Sequence, residues 1–222
     1  MYIAVIADIV ASRSIEDRYV VQKALKDTLD TINKEYAHAL VSPFTLTLGD
    51  EFQGLLSDVS DLFEIIDLIR FEHVDIGFRF GIGIGEILTE IDPQSSLGAD
   101  GPAYWNARKA LKYVHDCNDY GATNMRIESV SVLALINDML RLCGFIESRW
   151  RTSQRYFVMD CIQLYGYSSR TVAQKELAKE LDISPQLVNQ RIRRSGLYQY
   201  LDAKQALGES LQKYLHSLKN QV

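Results

Sequence analysis

The sequence predicts an α+β protein of 222 residues, in which a part that contains a sheet is followed by an all-helical part. Strand-length apolar segments alternate with amphipathic helical patterns as far as residue 130, and only helical patterns follow. The charge also changes sign, because residues 1–148 hold 12 Lys and Arg against 23 Asp and Glu, whereas residues 149–222 hold 12 against 6. These observations predict two modules with different partners, at 1–130 and 149–222.

The first part is predicted to run β-α-β-β-α-β-α-β. The opening segment is nearly all apolar, as expected for a strand that is covered on both faces. The helical segments repeat apolar residues at steps of three and four. Strands are expected at 2–8, 44–48, 52–56, 77–87 and 123–129, and helices at 16–36, 58–71 and 102–114. This order begins with the split βαββαβ arrangement of ferredoxin-like, palm-type domains, which would bring Asp8 close to Asp50.

The second part is predicted to contain only helices, at 129–144, 149–165, 172–181, 185–195 and 203–218. Ser184 suits the N-cap of the fourth of these, with Pro185 in the first helical position. No Pro/Gly-rich linker separates the two parts, which favours a rigid connection.

The composition excludes several classes of protein. No apolar run approaches the roughly 20 residues that span a bilayer, so membrane insertion is not expected. The N-terminus lacks the pattern of a signal peptide. Three widely spaced cysteines indicate neither a disulfide framework nor a zinc site. A cytoplasmic location is the resulting expectation.

Three acidic residues are the candidate metal ligands. Asp8 ends the first strand, and Asp50 and Glu51 lie in the turn that starts at Gly49. Carboxylates that meet at one end of a sheet can hold Mg²⁺ or Mn²⁺ against a nucleotide triphosphate. The alternative is turn chemistry, since Gly-Asp is a common hairpin tip and Asp8 could cap the following turn.

Two glycine-rich segments are further candidates. Gly81, Gly83 and Gly85 leave one face of a strand bare, which permits the close approach of a helix, a ligand or a partner chain. The segment 98–109 is a glycine-rich loop that runs into a helix with Asn and two basic residues, and it suits a phosphate or a nucleobase. The alternatives are close helix packing for the strand, and for the loop a capped surface helix or a dimer contact through Trp105.

These segments resemble known families. Asp8-Ile9-Val10, the Gly49-Asp50 turn and the stretch 79–86 resemble the class III nucleotidyl cyclase pattern in order and spacing. The stretch 48–52 resembles the GGDEF signature of diguanylate cyclases, with Leu48 in place of the first glycine. Over nearly the whole chain, the sequence resembles the SatD family through 47–56 and 98–104.

The cyclase resemblance implies roles for individual residues. Asp8 and Asp50 match the metal aspartates, and Lys109 stands where cyclases place a transition-state arginine. Trp105 stands at the position of its partner asparagine, with Asn106 adjacent. Leu46 and Gly98 stand at the base-reading positions, so metal and phosphate binding is retained while base reading is lost. The implied nucleotide-binding residues are Ile9, Val10, Gly49, Asp100 and Gly101. Because cyclase sites form between two protomers, the resemblance also implies a homodimer.

The stretch 175–194 resembles a helix-turn-helix, with Ala178 where the two helices cross. Four residues of its second helix are predicted to face outward and to contact base edges: Gln186, Asn189, Gln190 and Arg193. Three arginines are predicted to contact phosphates of double-stranded DNA: Arg170, Arg191 and Arg194. So few cations predict weak binding by one module, and a dimer would double the contacts. The alternative is a three-helix protein-interaction module.

Together these features predict a regulatory protein in which a nucleotide- and metal-binding domain is coupled to a DNA-binding domain. One alternative is an active, metal-dependent nucleotidyl cyclase or transferase. The other is a protein-interaction adaptor whose sites have decayed.

Overall fold

The computed structural model describes residues 1–47, 49–117, 123–131, 133–167 and 173–220. Within them the chain forms five strands and eight α-helices, which confirms the α+β class. The strands are β1 (Tyr2–Ile9), β2 (Leu40–Leu46), β3 (Glu51–Leu56), β4 (Phe78–Gly85) and β5 (Met125–Glu128). The helices are α1 (Arg18–Glu35), α2 (Leu62–Glu72), α3 (Pro102–Asp116), α4 (Ala134–Ser148), α5 (Thr152–Tyr165), α6 (Gln174–Glu180), α7 (Pro185–Ser195) and α8 (Leu197–Lys219).

The five strands form one mixed sheet in the order β2-β3-β1-β4-β5. Neighbouring strands are antiparallel except for β4 and β5, which are parallel. The central strand β1 therefore has a partner along both edges. Its predicted burial on both faces is confirmed, since Ile3 and Val5 join one buried cluster and Ala4 and Ile6 join another on the opposite face.

Several element boundaries differ from the sequence prediction. Strand β2 begins at Leu40, four residues before the predicted start, and its pairing with β3 is irregular between Leu40 and Thr45. Such irregular pairing interrupts the alternation of apolar and polar residues from which a strand is predicted. Helix α8 begins at Leu197 instead of residue 203, directly after Gly196 ends α7 in a left-handed conformation.

Glycines of β4 explain how α3 lies on the sheet. A Cβ at Gly81 or Gly83 would overlap backbone atoms of α3 around Ala103 and Ala107. The bare strand face is thus occupied by a helix, which agrees with the close-packing alternative. The same contact fixes α3 across the sheet face that carries the odd-numbered residues of β4.

A buried polar network joins the sheet-containing part to the C-terminal helices. Asp67 of α2 is fully buried and accepts hydrogen bonds from Lys204 Nζ at 3.0 Å, Tyr200 Oη at 2.6 Å and Tyr167 Oη at 2.8 Å. Burial, together with the negative charge of Asp67, raises the pKa of both tyrosines well above the ordinary value. The sheet-containing part and the C-terminal helices are therefore joined by a buried polar network as well as by a hydrophobic core that contains residues of both.

None of the described helices is long and apolar enough to cross a membrane. The three cysteines are free thiols, two of them buried.

Candidate functional site

The three candidate acidic residues meet at one end of the sheet. Asp8, near the end of β1, pairs in register with Glu51 at the start of β3. The backbone N–H of Ile9 donates to the carbonyl oxygen of Asp50 at 3.0 Å. The predicted strand order thus brings Asp8 and the Gly49–Asp50 turn together, as expected.

Two arginines neutralise two of these carboxylates. Arg79, opposite Asp8 on β4, donates from Nε to Asp8 Oδ1 at 2.7 Å. Arg108 of α3 donates to both oxygens of Glu51. The hydrogen bond to Glu51 raises the pKa of Arg108, with a smaller contribution from the negative charge of Asp8. The site is therefore a cluster of alternating charges that α3 and three strands provide.

Asp50 differs because its carboxylate accepts a hydrogen bond from the Ser12 hydroxyl instead of an arginine. Its neighbour Gly49 has φ +66°, a left-handed conformation that favours glycine, and the Gly49 carbonyl accepts a hydrogen bond from Gln22. The turn is thereby tied to α1. Leu48, which takes part in the resemblance to the diguanylate cyclase signature, lies outside the described residues.

The donor set suits a hard cation, which prefers carboxylate oxygens. Among the described residues, however, no group of three or more His, Cys, Asp or Glu side chains is arranged to hold a metal ion. Mg²⁺ commonly uses only one or two carboxylates together with substrate phosphates. A cation at Asp8 would compete with Arg79, which already supplies positive charge there.

The backbone after Asp8 is engaged in the fold. The Ile9 side chain is buried in the core, and its N–H is bonded to Asp50. Val10 is partly exposed, but its N–H donates to the carbonyl oxygen of Gly77 at 2.8 Å. Neither N–H is directed at a ligand in this arrangement.

The two predicted catalytic residues have partners away from the carboxylates of β1 and β3. The Asn106 side-chain amide donates to the Ile84 carbonyl oxygen at 2.9 Å. Lys109 Nζ donates to Glu128 Oε2 on β5 at 2.9 Å. Burial alone would raise the pKa of Glu128, but hydrogen bonds from Lys109 and Arg126 lower it. Lys109 thus completes an ion-pair group on the neighbouring strand.

Asp100 and Gly101 lie at the opposite end of the sheet. The Gly101 backbone contacts Glu86 and Leu88, just beyond the end of β4 that pairs with Tyr2. Asp100 Oδ1 accepts a hydrogen bond from Trp105 Nε1 at 2.7 Å. Tyr2 and Asp8 are six residues apart on β1, which corresponds to about 20 Å. Within one chain, the loop that contains Asp100 and Gly101 is therefore too far from Asp8 to share a site with it.

Helices α6 and α7 are joined by a short turn. Ser184 caps α7 by accepting a hydrogen bond from the Leu187 N–H at 3.2 Å, and Pro185 is the first helical residue, which confirms that prediction. Asp182 has φ +48°, and the Ile183 N–H donates to the Ala178 carbonyl oxygen at 3.0 Å. This is a Schellman-type helix end, and glycine is the usual residue at the left-handed position that Asp182 occupies.

The exposed face of α7 carries most of the predicted DNA-contacting residues. Val188 and Ile192 are buried, and five candidates are exposed: Gln186, Asn189, Gln190, Arg193 and Arg194. Arg191 is half-buried, with its guanidinium 5.6 Å from the centre of the Phe157 ring on α5. Arg170 lies outside the described residues.

Sequence reasoning missed three residues of the acidic site, namely Ser12, Arg79 and Arg108. Arg108 was visible only as a basic residue with a solvated alternative, because its pairing with Glu51 depends on how α3 crosses the sheet. Arg79 stands in a strand whose register with β1 is not encoded locally. Nothing in the local sequence indicates that Ser12 reaches Asp50.

Comparison with protein families gives one finding. The model of the SatD family matches residues 2–211, which is nearly the whole chain, so the protein belongs to the SatD family. A comparison with curated proteins gives no match.

Proposed function

We propose that this SatD family protein is a cytoplasmic regulator, in which a ferredoxin-like, cyclase-type domain binds a nucleotide with Mg²⁺ or Mn²⁺ and a C-terminal helix-turn-helix binds DNA. The strand order β2-β3-β1-β4 with antiparallel neighbours supports the ferredoxin-like interpretation. The observation that carries the nucleotide half is the register of Asp8 with Glu51 beside Asp50.

In this proposal Asp8 and Asp50 hold the cation, and the cation offsets the negative charge of the phosphates. Asp50 is the accessible ligand, since its carboxylate has a hydroxyl partner in place of an arginine. Arg79 exchanges its bond to Asp8 for a bond to the ligand, because a guanidinium also suits phosphate oxygens. Ser12 and Gln22 hold the turn in position.

Binding without turnover is the favoured form of the proposal. Within one chain Asn106 and Lys109 are bonded to Ile84 and Glu128, and the Asp100 loop lies at the far end of the sheet. A cyclase-type reaction would require these groups from a second protomer. The homodimer that the cyclase resemblance implies would supply these groups only if it brought opposite ends of two sheets together.

The nucleotide half is tested with Asp50→Asn. We expect ATP or GTP with Mn²⁺ to raise the melting temperature of the native protein, because a ligand that binds only the folded state stabilises it by mass action. The shift should be absent in Asp50→Asn and retained in Asp30→Asn, an exposed acid of α1. Equal shifts in all three proteins would contradict the site.

The DNA half is supported by the exposed polar face of α7 and by the positive charge of residues 149–222. Asn189 and Gln190 suit adenine edges, and Arg193 suits guanine. The half-buried Arg191 instead fixes α7 against α5, so we assign it a structural role. A protein-interaction module would use the same helices without binding DNA.

DNA binding is tested by fluorescence anisotropy with a random duplex over a range of salt concentrations. Each phosphate-bound cation contributes about one unit to the slope of log K against log[salt]. Arg194→Ala should reduce this slope by about one unit for each protomer. The control changes one exposed lysine of α1, Lys23→Ala, and should leave the slope unchanged. No binding of the duplex at low salt would favour the protein-interaction alternative.

A further inference from the structure

A cavity of about 360 Å³ lies between the acidic end of the sheet and the C-terminal helices. We call it the interface pocket. Gly77 and Arg79 line it from the sheet side, His115 from the end of α3, and Glu147 and Arg155 from α4 and α5. Its volume falls within the range of ligand pockets, about 300–1,000 Å³.

The lining of the interface pocket is cationic, although the whole chain has a net charge of −5. Arg70, Arg79 and Arg155 line the pocket with Glu147 as the one carboxylate among the described lining residues, whereas Asp8 and Asp67 pair with Arg79 and Arg70 from outside the lining. The local field in the pocket therefore favours an anion.

Arg155 is the lining arginine whose charge is least satisfied, because Arg79 pairs with Asp8 and Arg70 pairs with Glu147. Glu147 accepts two hydrogen bonds from Arg70 Nη2 and is almost fully buried. Arg155 Nη1 lies 3.8 Å from Glu147 Oε1, which is beyond hydrogen-bond distance. Arg155 thus shares a carboxylate that Arg70 already uses, and about a quarter of its side chain is exposed.

We propose that the interface pocket binds a phosphate-bearing anion, held between Arg79 on the sheet side and Arg155 on the helical side. Guanidinium groups pair with phosphate oxygens through two parallel hydrogen bonds, and arginines on opposite walls suit an anion with more than one charge. Such a ligand would connect the sheet to the C-terminal helices through the guanidinium groups of Arg79 and Arg155.

Bound anion would also act on α7. The helix that carries Arg155 also holds α7, because Gln154 Nε2 donates to the Arg194 carbonyl oxygen at 3.2 Å and Phe157 lies under Arg191. An effect on DNA binding follows only if α7 has the proposed function. The binding itself requires neither DNA nor a metal ion, so it is tested separately.

Isothermal titration of the full chain with pyrophosphate in EDTA tests the pocket without the metal-dependent site. We expect saturable binding, weakened at least tenfold by Arg155→Gln and less than twofold by Arg18→Gln, a matched change of an exposed arginine on α1. If Arg155→Gln is not folded, Arg155→Lys is measured, which keeps the charge but removes the paired hydrogen bonds of the guanidinium, with an expected loss of about threefold. A comparison with ADP in EDTA separates free pyrophosphate from the diphosphate of a nucleotide.

Two results would overturn the assignment. One is no binding of either probe by the native protein. The other is that the folded Arg155 variant binds pyrophosphate and ADP with affinities within twofold of those of the native protein. The two proposals can fail separately. If nucleotide with Mn²⁺ shifts the melting temperature of Asp50→Asn as much as that of the native protein, but pyrophosphate binding depends on Arg155, then the metal site is wrong and the interface pocket stands.

Discussion

Replacing Asp67 with asparagine is expected to lower the free energy of unfolding by about 3–5 kcal/mol, as breaking a buried ion pair does in other proteins. The substitution keeps the shape of the side chain and removes only its charge. Lys204 is 1% exposed, and its ammonium would then lie in the core without a carboxylate at 3.0 Å. Tyr167 and Tyr200 would also exchange a charged acceptor for a neutral one.

Urea denaturation of Asp67→Asn, Asp30→Asn and the native protein measures this effect. Asp30 is exposed on α1, so its variant should stay within about 0.5 kcal/mol of the native protein. A second variant, Lys204→Met, removes the cation and leaves Asp67 with Arg70 and two hydroxyl donors, so its loss should be smaller. A loss below about 1 kcal/mol in Asp67→Asn would mean that the network adds little to stability.

The network also shows what sequence reasoning could reach. The helical pattern of α2 was predictable from its apolar residues. The partners of Asp67 were not predictable, because Lys204 is 137 residues from Asp67 along the chain. Periodicity encodes which face of an element is buried, but it does not identify the residue that lies opposite.

The acidic site was likewise predictable only in part. The apolar strand that ends in Asp8 and the turn at Gly49 were predictable from local pattern, and their proximity followed from strand order. The charges that neutralise them depend on the register of β4 and on the crossing of α3. Strand order alone also did not reveal that Asp100 and Gly101 lie at the far end, since that depends on the direction in which α3 crosses the sheet.

Replacing Gly83 with alanine is expected to destabilise the protein by more than 3 kcal/mol, while the same change at Gly208 should stabilise it by about 0.5–1 kcal/mol. At Gly83 the new Cβ would overlap the Ala103 carbonyl oxygen and the Ala107 nitrogen, which are backbone atoms of α3. Neither atom can move without shifting the helix from the sheet. Because α3 also carries Arg108, such a shift would separate Arg108 from Glu51.

Gly208 lies inside the 23-residue helix α8, and, apart from its chain neighbours and the backbone of its own helix, no heavy atom lies within 4 Å of the position that a Cβ would take. Alanine at this position removes the entropic cost of a helical glycine and adds no clash. The two variants form a matched pair, since each adds one methyl group and only the surroundings differ. Chemical denaturation of both should give free-energy changes of opposite sign. If Gly83→Ala were as stable as the native protein, α3 would not lie on the bare face of β4, and the position of Arg108 beside the carboxylates would lose its structural basis.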